Sequence, residues 1–312
     1  MVKYTIIITT FKEPKTIGKA IKAFLEQDLL KEDSKKKIKD FEIIVSAPDD
    51  ETLNVAKEFS KKDNRIKPFK DPGKGKMFAL NLLFKKLKGK TEILILSDGD
   101  VFIGENSLRH LLKPFKNYKI GCATGRPVSL DSKKNMLGYW SHLLCDAGAH
   151  QARLKRWKKG KFIECSGYFW AFRNNVVESF PLDIPEDSIV PMIFRDKGYK
   201  ISYAPNAKVY VSYPKNFKDF IDQKKRTSKA HLQMAKYIDI KKAEKTKSMK
   251  NEMLESYRAF SYPENIKEFF WTFLLFPAKL YVWLLVYYQL KVMKKEHKDG
   301  WSVTKSTKEI VN

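Results

Sequence analysis

Short apolar segments alternate with helical patterns over the first hundred residues, and this alternation restricts the possible folds more than any other feature. The segments 3–8, 41–45 and 92–96 have the length and β-branched character of strands buried inside a parallel sheet. Apolar residues at helical spacing lie between them, for example Ile17, Ile21 and Phe24. The pattern predicts βαβ units, and therefore an α/β fold with a mostly parallel sheet and helices on both faces.

Acidic residues follow two of these strands directly. Asp49 and Asp50 come after the second, and Asp98 and Asp100 flank Gly99 after the third. Open α/β sheets bind ligands at the carboxyl ends of their strands, so these side chains are candidates for one site. An isolated Asp-Gly-Asp is usually an ordinary turn, but the buried strand before it favours a site for Mg²⁺ or Mn²⁺, completed by phosphate oxygens and water.

The charge of the chain favours anionic partners without naming one. It has 61 Lys and Arg residues against 36 Asp and Glu residues, a formal net charge of +25. The excess is mostly Lys and is spread along the chain, which indicates a solvated basic surface with some attraction to membranes. Nucleic-acid readers rely more on Arg, and no helix-turn-helix, RNP-type or finger motif is present, so we expect no nucleic-acid partner.

Six short segments between residues 3 and 227 carry the remaining motif-like residues. They are ITTFKE at 8–13, GKMFALN at 75–81, DGD at 98–100, ECSGYFWAFR at 164–173, Glu186-Asp187 with Arg195 and Gly198-Tyr199 downstream, and QKKR at 223–226. In this order they resemble the motif series of family 2 glycosyltransferases with the GT-A fold, a Rossmann-like α/β fold. Each segment alone is a weak signal, but together they cover nearly three quarters of the chain.

The resemblance implies an inverting glycosyltransferase that uses Mg²⁺ or Mn²⁺ at Asp98 and Asp100. The donor would be a nucleotide-diphosphate sugar, with uridine favoured, and the acceptor a lipid-linked molecule or a glycan. Asp187 takes the position of the catalytic base. The donor-binding residues implied are Thr10, Glu13, Asp49, Asp50, Lys76, Asp98, Gln223 and Arg226. On the acceptor side they are Ser166, Gly167, Trp170 and Glu186.

Some positions depart from the family pattern or allow a second interpretation. Thr227 replaces the Trp of the family's Q-x-x-R-W motif, which favours transfer of a single sugar over polymerisation. Trp170 could stack on a sugar or fill the core, and Glu186-Asp187 after Pro185 also suits the first turn of a helix. His142 and His150 lack a third ligand, so we expect surface or acceptor contacts there rather than a metal.

The C-terminal part is a different kind of segment. Residues 269–292 are almost continuously apolar, long enough to span a membrane once, although Pro277 and Lys279 favour a kinked or interfacial helix. The alternative is a helical hairpin packed on the catalytic domain or on a dimer partner. Because the chain begins with a strand, we expect no signal peptide, and we predict a membrane-associated enzyme with a cytoplasmic catalytic domain.

These patterns divide the chain into four parts. Residues 1–227 form the catalytic domain, with a nucleotide-sugar half at 1–100 and an acceptor half at 101–227. A basic helical connector (228–268), a membrane-associated segment (269–293) and a polar basic tail (294–312) follow.

Two rival functions remain. A nucleotidyltransferase also uses an acidic metal-binding pair, but it does not explain the motifs at 186–187 and 223–226. A non-catalytic basic protein that binds membranes or nucleic acid on a transferase scaffold does not require intact Asp98, Asp100, Asp187 and Arg226.

Overall fold

The computed structural model describes residues 2–30, 40–237, 257–294, 299–301 and 306, and its centre is an eight-stranded mixed sheet. Its spatial order is β3-β2-β1-β4-β7-β6-β8-β5. The pairs β1–β2, β2–β3, β1–β4 and β6–β8 are parallel, whereas β4–β7, β6–β7 and β5–β8 are antiparallel. The strands are β1 (Val2–Thr9), β2 (Phe41–Ala47), β3 (Ile66–Lys70), β4 (Thr91–Asp98), β5 (Phe102–Ile103), β6 (Ile120–Ser129), β7 (Phe169–Arg173) and β8 (Lys200–Val211).

Helices cover both faces of this sheet because the apolar side chains of its central strands alternate. Ile6 and Ile8 of β1 pack in a cluster with α1, α2 and α4, whereas Ile7 packs with α3 and α7 on the opposite face. The predicted α/β architecture is confirmed. The helices are α1 (Ile17–Leu25), α2 (Asp50–Lys62), α3 (Lys76–Leu87), α4 (Ser107–Leu112), α5 (Met136–Leu143), α6 (Gln151–Lys158), α7 (Glu186–Asp196), α8 (Phe217–Gln233), α9 (Tyr257–Phe260) and α10 (Ile266–Tyr287).

The parallel pairing of β1 with β4 brings the first and third motifs together. In this register Thr9 lies beside Asp98, and the amide of Gly99 donates to the carbonyl of Thr9 at 3.0 Å. Glycine is required at this turn, because a Cβ at position 99 would lie 2.4 Å from Oγ1 of Thr10. The close approach directs Asp98 and Asp100 away from the sheet at the carboxyl end of β4.

The sequence patterns predict β1, β2 and β4 but not the other strands, and β3 shows one reason. It is the edge strand beside β2, and the side chains of Lys67 and Lys70 are exposed. Pro68 is tolerated there because an edge strand does not need every amide for pairing. An edge strand with lysines at its second and fifth positions has no continuous apolar run to reveal it.

Helix α8 runs without a break from Phe217 to Gln233, so it passes through residue 227, where the sequence patterns place the end of the catalytic domain. This helix starts well before residue 227. Oδ1 of Asn216 caps it by accepting from the amide of Asp219, whose acidic side chain lies in the first turn. Residues 31–39 and residues 238–256 of the predicted connector lie outside the described residues.

Helix α10 shows features of both C-terminal alternatives. One face packs on α5 and α8, where Nε1 of Trp140 donates to the carbonyl of Trp271 at 2.6 Å and the hydroxyls of Tyr139 and Thr272 lie 2.7 Å apart. Pro277 lies inside the helix without ending it. Only 28% of the most apolar 18-residue stretch of this helix is buried, so most of its apolar surface has no protein partner among the described residues. Its exposed large side chains include Phe269, Phe270, Phe273, Leu280, Tyr281, Leu284 and Tyr287.

Candidate active site

A cavity of about 1000 Å³ opens at the carboxyl ends of β1 and β4. Side chains from all six motif segments reach its wall, although they lie up to about two hundred residues apart in the chain. The cavity is bounded by the sheet, α3, α7, α8 and α10. The residues implied by the family resemblance that line it are Thr10, Glu13, Lys76, Asp98, Asp100, Ser166, Gly167, Glu186, Asp187, Gln223 and Arg226.

Lys76 links the two acidic motifs across this cavity. Its Nζ lies 2.7 Å from Oδ1 of Asp98 and 2.8 Å from Oε1 of Glu186. Burial alone would lower the pKa of Lys76, but the two carboxylates raise it above its usual value, so the ammonium is charged at neutral pH. Burial raises the pKa of Glu186 to about 7 against the opposing effect of Lys76. Glu186 is therefore a buried partner of Lys76 that also lines the cavity.

The first motif positions the Asp98–Asp100 turn. Oγ1 of Thr9 donates to Oδ1 of Asp98 at 3.2 Å, and Oγ1 of Thr10 donates to Oε2 of Glu13 at 2.7 Å. Lys12 adopts the left-handed conformation with φ 53°, which turns the chain back toward the cavity. Thr10 and Glu13 thus support the turn as well as line the site.

The carboxylates of Asp98 and Asp100 have the chemistry for a hard cation. Mg²⁺ and similar ions commonly take one or two protein carboxylates and fill their remaining positions with phosphate oxygens and water. Within the described part of the chain, no group of three or more His, Cys, Asp or Glu side chains is arranged to hold a metal. The residues present therefore fit an ion that arrives with a phosphorylated ligand, not a closed structural site.

Asp187 lies at the start of α7 and is fixed by the fourth motif. The amide of Gly167 donates to its Oδ2 at 2.8 Å, and the amide of Cys165 donates to its backbone carbonyl at 3.1 Å. The approach leaves little room at Gly167, because a Cβ there would lie 3.2 Å from Oδ2. Pro185 is the N-cap and the acids occupy the first turn, so the helix-start interpretation also holds for this segment.

Helix α8 brings the last motif to the opposite wall. Gln223, Arg226 and Thr227 all line the cavity, and Oγ1 of Thr227 donates to the carbonyl of Gln223 at 3.0 Å. Oε1 of Gln223 is buried and has no hydrogen-bond partner. Unpaired buried polar atoms are rare in native proteins, and here one lies in the wall of a cavity that has room for a ligand.

Asp49 and Asp50, which the resemblance implies as donor contacts, are not among the residues that line this cavity. Asp49 caps α2 through Thr52 and accepts from the amide of Lys12 at 2.8 Å. Burial alone would raise the pKa of Asp49, but these hydrogen bonds hold it below its usual value. Asp50 is exposed and pairs with Lys70 at 2.7 Å. Asp49 therefore shapes the loop that carries Glu13, and Asp50 is a surface residue.

Trp170 also needs correction, because it is fully buried in β7 and stacks on Phe172. It does not reach the cavity, so its role is in the core. His150 is buried rather than a surface contact, with Nδ1 2.8 Å from the hydroxyl of Tyr203, and burial lowers its pKa. His142 lies 2.6 Å from the carbonyl of Asp131, so each histidine has its own protein partner.

Two groups of cavity residues were missed from the sequence. Arg153, Arg156, Lys224 and Lys279 make the wall between α6, α8 and α10 basic. Lys224 belongs to the QKKR segment, but no motif marks the other three, because their only common property is their position in the folded chain.

The C-terminal tail supplies the second group, Asp299 and Trp301. The amide of Phe78 donates to Oδ2 of Asp299 at 2.9 Å, and the rings of Trp301 and Phe11 lie 5.6 Å apart. A segment predicted as a polar basic tail thus reaches the cavity next to Lys76.

The fold is of the GT-A type, and comparisons with known proteins agree. A family model described as glycosyltransferase like family 2 matches residues 2–230. This chain therefore belongs to glycosyltransferase family 2.

Individual relatives are distant. The hyaluronan synthase of Streptococcus pyogenes is 24% identical over 181 residues, which cover 54% of this chain and 42% of that protein. The match therefore spans less than half the length of that relative. Among solved structures, a mannosyltransferase from Pyrobaculum calidifontis in complex with GDP-Man and Mn²⁺ has a TM-score of 0.57 at 16% identity, covering 94% of this chain and 82% of that one. Residues 1–349 of S. aureus TarS have a TM-score of 0.50 at 16% identity, covering 92% and 80%. These likenesses support the fold.

Replacing Lys76 by Met tests its link between Asp98 and Glu186. Removing one partner of a buried ion pair typically lowers the free energy of unfolding by about 3 kcal/mol. Without the Lys76 cation, the pKa of Glu186 rises further in the folded state, whereas in the unfolded chain it returns to about 4.5. The folded variant then binds more protons than the unfolded one, so its stability should fall as the pH rises from 5 to 8.

Thermal unfolding at pH 5, 6, 7 and 8 measures this effect in wild type, Lys76→Met and Lys76→Met/Glu186→Gln. We expect a steeper loss with pH in the single variant, and recovery of a flatter profile in the double variant. Parallel profiles for wild type and Lys76→Met would contradict the ion-pair account.

Proposed function

We propose that this protein transfers a single sugar from a nucleotide-diphosphate sugar, with UDP-sugars favoured, to a lipid-linked or glycan acceptor with inversion. One observation carries the proposal: Asp98 and Asp100 at the carboxyl end of β4 line the same cavity as Asp187 at the start of α7. Lys76 connects the two sides through its ion pairs with Asp98 and with Glu186, the neighbour of Asp187. Charge can thus be stabilised on one side of a bound sugar while a proton is accepted on the other.

On the donor side, Asp100 with Asp98 would hold Mg²⁺ or Mn²⁺. When bound, this ion neutralises negative charge on the departing diphosphate. Lys76 keeps the carboxylate of Asp98 in place. Arg226 and Gln223 of α8 line the cavity and are placed to contact the diphosphate, for which a guanidinium offers paired donors.

On the acceptor side, Asp187 is the general base. Its carboxylate is held by the amide of Gly167, and Ser166 lines the same wall. For a hydroxyl acceptor, Asp187 takes the proton while the acceptor oxygen bonds to the anomeric carbon. The bond from that carbon to the nucleotide diphosphate breaks on the opposite face, which inverts the configuration.

The enzyme also associates with a membrane in this proposal, with its catalytic domain in the cytoplasm. Helix α10 with its following turn, Ile266–Val292, is long and apolar enough to cross a bilayer, with Lys291 in its last turn and Lys294 just after it. One face packs on the catalytic domain, which favours an interfacial placement of the other. Flotation with anionic vesicles tests this, and protein that remains at the bottom of the gradient contradicts it.

Binding and transfer assays on purified full-length protein in detergent test the catalytic assignment. Asp100→Asn should abolish the gain in UDP or GDP affinity that Mn²⁺ gives over EDTA, because a main ligand of the ion is lost. Asp187→Asn should retain that binding but transfer sugar to a hydroxyl acceptor at least about 100-fold more slowly, since it lacks a base. Asp196→Asn, on the exposed side of the same helix, is the matched control and should resemble wild type.

Two results would overturn this assignment. Equal metal-dependent binding by wild type and Asp100→Asn would remove the donor-side role of that residue. Release of pyrophosphate from a nucleoside triphosphate, with no turnover of nucleotide sugars, would favour the nucleotidyltransferase alternative.

A further inference from the structure

The same cavity continues away from Asp98 and Asp187 into an apolar region beneath α10. This region is bounded by α5, the π-helical turn Leu144–His150 and α10. Leu280 is 53% exposed and also lines the cavity, so the cavity wall merges with the exposed apolar face of α10. Its apolar wall includes Leu143, Leu144, Ala147, Leu275, Phe276 and Leu280.

A basic group lies between this apolar region and the base. Nε of Arg153 donates to the carbonyl of Glu164 at 3.2 Å, and its Nη2 lies 3.5 Å from the carbonyl of Cys165. The amide of Cys165 in turn donates to the backbone carbonyl of Asp187. Arg153 therefore contacts the same short segment that contacts the proposed base. Nη1 of Arg153 is buried without a hydrogen-bond partner. An unpaired guanidinium nitrogen in the wall of a cavity favours an anionic ligand.

We propose that the acceptor is an amphiphile in which a phosphate adjoins a long aliphatic chain. The chain occupies the apolar region beneath α10 and enters from the lipid at Leu280, while the phosphate contacts Arg153 and its basic neighbours Arg156 and Lys279. A soluble glycan would gain nothing from an apolar region that opens onto a bilayer-facing helix. This inference rests on the proposed function, because it specifies the acceptor of that transfer.

Two kinds of acceptor share this chemistry, and they differ in whether the reaction needs Asp187 as a base. A lipid monophosphate attacks through an oxygen that is already ionised, so no proton moves. A sugar carried on a lipid diphosphate attacks through a hydroxyl, and its proton goes to Asp187. In both cases the acceptor oxygen bonds to the anomeric carbon, and the nucleotide diphosphate leaves with the electron pair of the broken bond.

Binding of a polyprenyl monophosphate and of the matching polyprenol, both in neutral-lipid vesicles, tests the acceptor class. Wild type should bind the phosphate at least about tenfold more tightly than the alcohol, as expected for charge-assisted hydrogen bonds. Arg153→Gln should lose that preference, and Lys158→Gln, on the same helix but exposed, should keep it.

Gly148→Leu tests the apolar region without disturbing the basic group. A Cβ at this cavity-lining residue meets no atom closer than 3.9 Å, so leucine fits the backbone and fills the open space. We expect weaker binding of the polyprenyl phosphate with unchanged UDP or GDP binding. Equal binding of phosphate and alcohol, or no effect of either variant, would overturn the proposal.

Transfer assays then identify the source of the phosphate. If the polyprenyl monophosphate is the acceptor, Asp187→Asn should retain transfer to it. If a glycosylated polyprenyl diphosphate is the acceptor, Asp187→Asn should lose transfer to that lipid. Transfer to a soluble oligosaccharide with neither lipid used would overturn the proposal. Failure of nucleotide binding itself would instead refute the proposed function.

A second inference comes from the tail residues Asp299 and Trp301, which line the cavity beside Gly75 and Phe11. The Asp299 carboxylate accepts from the amide of Phe78 in the first turn of α3, and it fills the space left by Gly75, where a Cβ would lie 2.3 Å from Cγ of Asp299. Trp301 places its ring 5.6 Å from that of Phe11. The Asp299 carboxylate at the N-terminus of α3 resembles a phosphate in its charge, and the Trp301 ring beside Phe11 resembles a nucleotide base in its shape.

The tail is also held at a second point. Oγ of Ser306 donates to Oδ2 of Asp219 at 2.6 Å and accepts from the amide of Lys215 at 3.2 Å. Residues 299–301 are thus anchored next to the cavity by a contact near the start of α8. We infer that the tail is an intramolecular competitor of the donor nucleotide and lowers its apparent affinity until it is displaced.

Calorimetric binding of UDP and GDP with Mn²⁺ tests the competitor role. A tail that covers the site in nine of ten molecules weakens the apparent affinity about tenfold, so Trp301→Ala and Asp299→Asn should tighten binding by up to that factor. Trp157→Ala, an exposed tryptophan on α6, is the control and should leave it unchanged. Weaker or unchanged binding in both tail variants would overturn the inference, whereas absence of nucleotide binding in every protein would refute the proposed function.

Discussion

The buried ammonium of Lys76 is the interaction on which the arrangement of the site depends. Without a cation between them, Asp98 and Glu186 would be two carboxylates in one wall, and burial, which raises the pKa of Glu186, would favour a proton on that side chain. With it, the carboxyl end of β4 and the start of α7 are held together. In the proposed reaction, stabilisation of the departing diphosphate and activation of the acceptor therefore take place in one cavity.

Much of this arrangement could be predicted from the sequence, because it depends on local patterns. The buried strands β1, β2 and β4 show as apolar segments, and parallel strands must present their carboxyl ends at one edge, so the convergence of Thr10 and Asp98 follows from topology. What failed was the direction of individual side chains. Asp50 points to Lys70 at the surface and Trp170 into the core, and neither direction is encoded in a motif.

The C-terminal part was the least predictable, since its role depends on contacts far apart in the chain. An apolar segment of this length allows a membrane span or a packed helix, and the structure combines a packed face with an exposed one. The hydrogen bond from Trp140 to the backbone of Trp271 is what places α10 over the cavity. The proposed role of Arg153 depends on that placement, because α10 forms the apolar region on the side of Arg153 away from the proposed base.

The anomeric configuration of the product tests the central claim most directly, because a single displacement in this cavity permits one outcome. Wild-type protein would be given an α-linked nucleotide sugar and a lipid acceptor, and the product linkage would be assigned by the proton coupling at the anomeric carbon. The account predicts a β-linked product with release of the nucleoside diphosphate, since the leaving group and the acceptor occupy opposite sides of the sugar. An α-linked product would contradict it.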